Sequence, residues 1–200
     1  MASSQRTPIM PGSADVATAV ASGDAFLSHA QRFWALVEQD PDHAEEIAQK
    51  HIGELIASAT TIALAIELYL KALLLQAGQP APKTHDLPEL YQALPSKLRQ
   101  TVESTYDQRR RTENDDELAG LSVHIARRGM SEQSFDRPAG PPSMKLSALL
   151  KRNSNAFSTW RYLFAHGPTN SGAPLSYEYV RLVFAARAVR ARLQESNHSG

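Results

Sequence analysis

Cysteine is absent from this chain of 200 residues, and neither sign of charge is in excess. Without cysteine the protein can form no disulfide, no thiolate zinc site and no cysteine nucleophile. Lysine and arginine together number 21, and aspartate and glutamate also number 21. This balance excludes a strongly cationic coat for nucleic acid, although it is compatible with a local basic patch.

An uninterrupted apolar segment long enough to cross a membrane is also missing. The most apolar stretch, from Leu55 to Leu75, contains Glu67 and Lys71, so we expect no membrane span. The first twelve residues have one arginine, two prolines and no apolar run, which is unlike a secretion signal. These features predict a cytoplasmic protein. A chain of this length can bury a sizeable core without a metal or a disulfide.

Several catalytic signatures are absent as well. The sequence has no His-Glu-x-x-His zinc motif, no P-loop, no Gly-x-Gly-x-x-Gly after a strand and no Gly-x-Ser-x-Gly elbow. It also lacks the paired aspartates of a nucleotidyltransferase, so it could serve such an enzyme only in trans. We therefore expect neither a metal nor another cofactor.

The residues that are present predict an all-α protein. Between clusters of glycine and proline, apolar side chains recur every three or four positions, which is helical spacing. No long stretch alternates between apolar and polar residues as a β-strand does. We predict an up-and-down bundle of about five helices, at residues 13–38, 42–77, 86–111, 146–165 and 175–195, with a break in the third at Pro95 left open. The bundle would form one domain, 13–195, with a surface loop or insertion at 112–145 and flexible tails at 1–12 and 196–200.

The second predicted helix is the expected centre of the bundle. In its second half Leu64, Leu68 and Leu75 project away from the main apolar stripe, so neighbouring helices should enclose it. Gly78 is placed to end this helix. Asp86, with a glutamate three residues later, resembles a capping box that starts the next helix.

The last predicted helix has two apolar edges. Leu182 and Val189 belong to one edge, and Val180 and Phe184 lie roughly opposite. A helix with two apolar edges needs two packing partners. One partner is the bundle, and the other could be a second copy of the chain, which would make the protein a homodimer. Alternatively, both edges are buried inside one bundle.

Two segments are similar to the HEPN family of small helical-bundle domains. The first is Ala65-Ile-Glu-Leu-Tyr-Leu-Lys-Ala-Leu-Leu-Leu75 followed by Lys83-Thr-His-Asp-Leu-Pro-Glu-Leu90, a long helix and then a new helix that an aspartate opens. The second, Ala156-Phe-Ser-Thr-Trp-Arg-Tyr-Leu-Phe164, resembles the Trp-Arg-Tyr segment of bacterial members. The segments cover about a sixth of the chain, and the helix order extends the resemblance over about residues 13–195.

The resemblance implies a protein that faces RNA or nucleotides. Many HEPN proteins resemble metal-independent endoribonucleases of defence and toxin–antitoxin systems, which act as dimers through an arginine, four to six further residues and a histidine. Arg161 and His166 match this motif and would be the catalytic pair. The arginine fork would hold the scissile phosphate, and the histidine would move the proton of the attacking 2′-hydroxyl. On one continuous helix these side chains are about 140° apart. They can converge if the helix ends between them, and Gly167-Pro168 predicts a helix end there. They could also converge across a dimer axis.

The same resemblance leaves an alternative open. Other HEPN proteins are non-catalytic partners of nucleotidyltransferases or bind nucleotides, so this chain could be an interaction or scaffold domain. Arg161 would then be structural, stacked on Trp160 or paired with Glu67, and His166 would be a favourable charge at a helix C-terminus. Tyr162 departs from the nuclease-type motif, which usually has a small polar residue after the arginine.

Supporting or binding roles fall to Tyr162 and to four polar residues near the first segment, Glu67, Lys71, His85 and Asp86. Each of the four also has a structural interpretation. Glu67 and Lys71 have the spacing of an ordinary intrahelical pair, and Asp86 could cap a helix while His85 lies at the surface. The expected partners are a second copy of the chain, RNA or a nucleotide, and a nucleotidyltransferase or an antitoxin.

Overall fold

The computed structural model describes residues 13–43, 46–47, 50–112, 123–125, 143–154 and 175–197. These residues form six α-helices and one pair of short antiparallel strands. The helices are α1 (Ser13–Gln39), α2 (Ile52–Gln76), α3 (Leu87–Ala93), α4 (Ser96–Thr112), α5 (Leu146–Arg152) and α6 (Tyr179–Asn197), with a 3-10 turn at Pro41–His43. Strand β1 (Val123–Ile125) pairs with β2 (Leu175–Tyr177). The prediction of an all-α fold is confirmed.

Helix α2 is the centre of the core. Helix α1 runs antiparallel along it, and Ser58 Oγ donates to the Ala30 carbonyl at 2.9 Å where the two helices meet. Helices α3 and α6 also pack on α2. The most apolar window of α2 has a mean hydropathy of 1.6, which would suffice for a membrane span, but 67% of it is buried inside the protein. This degree of burial is that of a core helix.

The predicted enclosure of α2 is confirmed on its main apolar stripe. The stripe residues Ile62, Ile66 and Leu73 are buried. Leu64, Leu68 and Leu75 on the other side are only half-buried. Trp160, on which Arg161 could stack, lies outside the described residues.

The connection from α2 to α3 follows the predicted turn chemistry. Gly78 has φ 71°, a left-handed conformation that favours glycine. Its N–H donates to the Leu75 carbonyl at 3.0 Å, and the next N–H, of Gln79, donates to the Leu74 carbonyl at 2.9 Å. These two bonds make a Schellman motif that ends α2. The predicted third helix starts after Asp86 and breaks at Pro95, giving α3 and α4.

Three predicted boundaries are wrong. The second helix does not begin at residue 42, because a 3-10 turn occupies Pro41–His43. Residues 46, 47 and 50 are helical as predicted, but a turn at His51 separates them from α2. The fourth helix starts at Leu146 as predicted but ends at Arg152. Asn153 is its C-cap, and the backbone N–H and the side-chain amide of Asn153 both donate to the Leu149 carbonyl, at 3.1 and 2.9 Å. The third concerns the last helix.

The last helix starts at Tyr179, not at residue 175. Residues Leu175–Tyr177 are strand β2, with Leu175 opposite Ile125 and Tyr177 opposite Val123. The predicted loop at 112–145 therefore contains a strand. Two three-residue strands are too short for alternation to reveal. The predicted tails, and the domain limits they imply, remain predictions.

Helix α6 buries both of its apolar edges within one chain. Leu182 and Val189 are buried on the first edge, and on the second Phe184 is only 3% exposed and Val180 is half-buried. Near the start of α6, Tyr179 stacks on Trp34 of α1 with ring centroids 4.2 Å apart. These contacts favour the alternative that needs no second copy, and homodimerisation remains a prediction.

Candidate functional site

A carboxylate in the middle of α2 holds the main polar cluster among the predicted site residues. The side chain of Glu67 is only 5% exposed. Lys71 Nζ donates to Glu67 Oε1 at 2.7 Å, and His85 Nδ1 lies 2.9 Å from Glu67 Oε2. Both carboxylate oxygens therefore have a partner, which offsets the cost of burying the charge.

The chain reaches this arrangement because the segment after α2 turns back along the helix. Glu67 lies nine residues before the last residue of α2, which is about 13 Å of helix. The Gly78 turn reverses the chain, and the residues up to His85 are enough to cover that distance. The N–H of Asp86 then donates to Thr84 Oγ1 at 3.1 Å. This bond fixes the backbone on both sides of His85.

Asp86 belongs to the start of α3 rather than to the carboxylate cluster. Its Oδ1 accepts from the Glu89 N–H at 2.9 Å, as a helix N-cap does. The structural interpretation of Asp86 as a cap is thus confirmed, and a supporting role at a site remains a prediction. In a capping box the Glu89 side chain would also accept the Asp86 N–H. Here the Thr84 hydroxyl accepts that N–H instead.

The chemistry of the cluster resides in the imidazole. An ionised carboxylate can only accept hydrogen bonds, so the contact with Glu67 places a hydrogen on Nδ1 of His85. The side chain of His85 is 63% exposed, so a ligand at the surface can reach it. The arrangement is that of an imidazole held by a buried carboxylate.

The remaining predicted site residues lie outside the part of the chain that the structure describes. These are Arg161, His166 and Tyr162, and they remain predictions. The expected pair between Arg161 and Glu67 is likewise untested. Of the seven predicted site residues, the structure brings together Glu67, Lys71 and His85.

Sequence reasoning missed a second polar cluster, which joins three helices. Asp24 of α1 accepts from Tyr69 Oη of α2 at 2.6 Å and from Arg190 Nε of α6 at 2.7 Å. Burial raises the pKa of the Tyr69 phenol, and its hydrogen bond to Asp24 raises it further. Burial alone would raise the pKa of Asp24, but Arg190 and Tyr69 outweigh it and lower that pKa. The cluster fastens α1 and α6 to α2.

Two further carboxylates fasten α5. Glu103 of α4 accepts from the Leu146 N–H at 2.9 Å and from Tyr91 Oη at 2.8 Å. Glu178, just before α6, accepts from Arg152 Nε and from Arg181 Nη1, both at 2.9 Å. No sequence pattern links Glu103 to Leu146 or Glu178 to Arg152, since these partners lie 43 and 26 positions apart.

Within the described ranges, no group of three or more histidine, aspartate or glutamate side chains is arranged to hold a metal ion. The described residues thus define an α-helical bundle whose central helix carries a buried carboxylate bound to a surface imidazole.

Comparison with protein families finds a likeness in part of this bundle. The family model of the HEPN domain matches residues 30–122, so this part of the chain is similar to HEPN domains, which are helical bundles. The match contains the first of the two segments noted in the sequence and the whole Glu67 cluster. The Trp-Arg-Tyr segment lies outside it, so membership of that branch remains a prediction. Neither the search of curated proteins nor that of solved structures finds a match.

Proposed function

We propose that this protein acts on RNA as a metal-independent endoribonuclease of a defence or toxin–antitoxin system in the cytoplasm. The observation that carries the proposal is the cluster inside the HEPN-like part of the chain, where buried Glu67 holds the exposed imidazole of His85 at 2.9 Å. Families with this domain often contain ribonucleases of such systems. Arg161 and His166 are the proposed catalytic pair.

The proposed reaction uses the 2′-hydroxyl of RNA as its nucleophile. Arg161 holds the scissile phosphate with its guanidinium fork. His166 takes the proton of the 2′-hydroxyl as the oxygen attacks phosphorus, and the bond from phosphorus to the 5′-oxygen breaks. The products are a 2′,3′-cyclic phosphate and a 5′-hydroxyl. A homodimer would allow the two residues to converge from different subunits, and an antitoxin would be the natural partner.

The test is cleavage of mixed RNA in the presence of EDTA. We expect fragments with 2′,3′-cyclic phosphate ends, and we expect the double variant Arg161→Ala, His166→Ala to produce none above background. The proposal fails if the wild-type protein leaves the RNA intact. It also fails if the double variant cleaves as fast as the wild type, because the activity would then come from a contaminant or another site.

A non-catalytic interaction domain is the second candidate, for example a partner of a nucleotidyltransferase. It is favoured by the pairing of Glu67, whose two oxygens are already bound by Lys71 and His85. In this case Arg161→Ala should lower the melting temperature and leave RNA binding unaffected. Unchanged stability together with weaker RNA binding would contradict it.

A further inference from the structure

A polar groove of about 640 Å³ lies along the exposed side of α4. Its lining consists of polar side chains of that helix, among them Gln100, Glu103, Ser104, Asp107, Gln108 and Arg111. We propose that this groove binds the RNA strand on which the protein acts, with Arg111 on a phosphate and the two glutamines on base edges. This inference rests on the proposal that the protein acts on RNA.

Four of the lining side chains are available to a ligand. Gln100, Ser104 and Gln108 recur every four residues, so they lie one turn apart on the same side of the helix. All three are exposed, as is Arg111. Within the part of the chain that the structure describes, these four side chains have no hydrogen bond or ion pair. Donors and acceptors that the fold does not use are therefore collected along one side of α4.

The charge that the groove offers to a ligand is positive. Glu103 is already partnered, since it accepts from the Leu146 N–H at 2.9 Å and from a tyrosine hydroxyl at 2.8 Å. Asp107 Oδ1 lies 3.7 Å from Arg110 Nη1. Among the described residues, Arg111 has no such counter-charge. Its guanidinium fork matches two oxygens of a phosphate, so an anionic ligand of this kind is favoured.

The lining favours a strand of RNA over a protein partner. The buried centre of a protein interface is apolar, and none of the described side chains that line this groove is apolar. An unpaired RNA strand presents phosphates and the hydrogen-bonding edges of its bases. The amides of Gln100 and Gln108 can both donate to and accept from such an edge. From Gln100 to Arg111 the helix rises about 16 Å, which is long enough for several nucleotides.

The experiment measures the binding of a single RNA strand of mixed sequence whose 2′-hydroxyls are methylated, so that it cannot be cleaved. The association constant is measured over a range of salt concentrations. On a single strand each phosphate contact contributes about 0.7 to the slope of log K against log salt. We expect Arg111→Gln to weaken binding about tenfold or more and to reduce the slope by about 0.7.

The neutral contacts are tested by a double variant, Gln100→Ala with Gln108→Ala. It should weaken binding about fivefold or more, because two hydrogen-bonding side chains are lost. The slope should stay as in the wild type, since a neutral contact releases no counterions. The two kinds of contact are thus told apart by the slope.

Arg32→Gln is the matched control. Arg32 is exposed on α1, a helix that packs on α2 and α6, and within the described ranges it has no ion pair. The variant removes the same charge from another surface, so affinity and slope should both remain those of the wild type. Melting temperatures confirm that all variants fold, as expected for exposed side chains.

The outcomes separate the groove from the proposed activity. If Arg111→Gln keeps the affinity and slope of the wild type while the wild type cleaves unmodified RNA, the inference is wrong and the proposed function stands. If none of the groove variants changes RNA binding, the groove faces a partner of another class, such as a protein. If Arg32→Gln reduces the slope as much as Arg111→Gln does, RNA is held by diffuse attraction and the groove is not its site.

Two further results concern both proposals. If the wild type binds methylated RNA through Arg111 but leaves unmodified RNA intact, the groove is supported and the ribonuclease function fails. If the wild type neither binds nor cleaves RNA, both proposals fail.

Discussion

The crossing of α1 and α2 at Gly23 gives a sharp test of the packing. A Cβ added at Gly23 would lie 2.5 Å from Cε1 and 2.9 Å from Cδ1 of the Tyr69 ring. These distances are far shorter than carbon–carbon contacts of about 3.5–4.0 Å. The ring cannot move away freely, because Tyr69 is fully buried and its hydroxyl donates to Asp24. The helices must separate or the ring must leave its rotamer.

Two effects of opposite sign compete in Gly23→Ala. Alanine in a helix interior is favoured over glycine by about 1 kcal/mol. Overpacking a well-filled core costs typically about 1–3 kcal/mol, and here it also disturbs the hydrogen bond to Asp24. We expect the overpacking to win, so that the free energy of unfolding falls by about 1–2 kcal/mol. For a chain of this size the melting temperature should drop by about 2–8 °C.

Gly53 provides the matched control. It lies in the first turn of α2, and nothing is within 4 Å of a Cβ added there. Gly53→Ala should therefore raise stability by up to about 1 kcal/mol, since only the helix preference acts. Urea unfolding followed by circular dichroism measures both variants. If Gly23→Ala is as stable as Gly53→Ala, the close approach of Tyr69 to α1 is wrong.

Two other predictions follow from the polar clusters. Burial alone would raise the pKa of Glu178, but Arg152 and Arg181 outweigh burial and hold that pKa below its usual value. The ionised Glu178 side chain therefore stabilises the fold fully above the ordinary pKa of glutamate, near 4.5. This stabilisation is lost as the pH falls through the lower pKa of Glu178 in the folded protein. Glu178→Gln should flatten the acid side of the stability curve measured by thermal unfolding from pH 6 to 3, and an unchanged slope would contradict the assignment. Tyr69→Phe removes the hydroxyl that donates to Asp24, while Arg190 still donates to Asp24. The free energy of unfolding, measured in urea, should therefore fall by about 1–2 kcal/mol. An unchanged free energy of unfolding would show that the phenol contributes nothing to the cluster.

The sequence predicted those parts of the fold that depend on local chemistry. The turn at Gly78, the cap at Asp86 and the break at Pro95 are each determined by residues within about five positions of one another. One of the wrong boundaries, the start of the last helix, depends on a distant partner. Strand β2 exists because β1, 52 positions earlier in the register, is there to pair with it. No local pattern reports such a partner.

In the candidate site, too, the sequence predicted the local contact and missed the distant one. The pair of Glu67 and Lys71 followed from helical spacing, but its link to His85 depends on the path of the loop that follows α2. The sequence placed His85 at the surface, which its exposure confirms. It did not show that the buried carboxylate of Glu67 contacts the His85 ring. The Asp24 cluster was missed altogether, because its residues belong to three helices.

The carboxylate clusters differ in what they hold together. Asp24 joins α1, α2 and α6, Glu103 joins α3, α4 and α5, and Glu178 joins α5 to α6. Among the residues that the structure describes, Glu67, by contrast, has one partner on its own helix and one exposed partner on a loop, and these two contacts join no two helices. A buried ion pair is often no more stabilising than apolar residues of the same volume. What the charge at Glu67 does among the described residues, and an apolar side chain could not do, is hold the imidazole of His85.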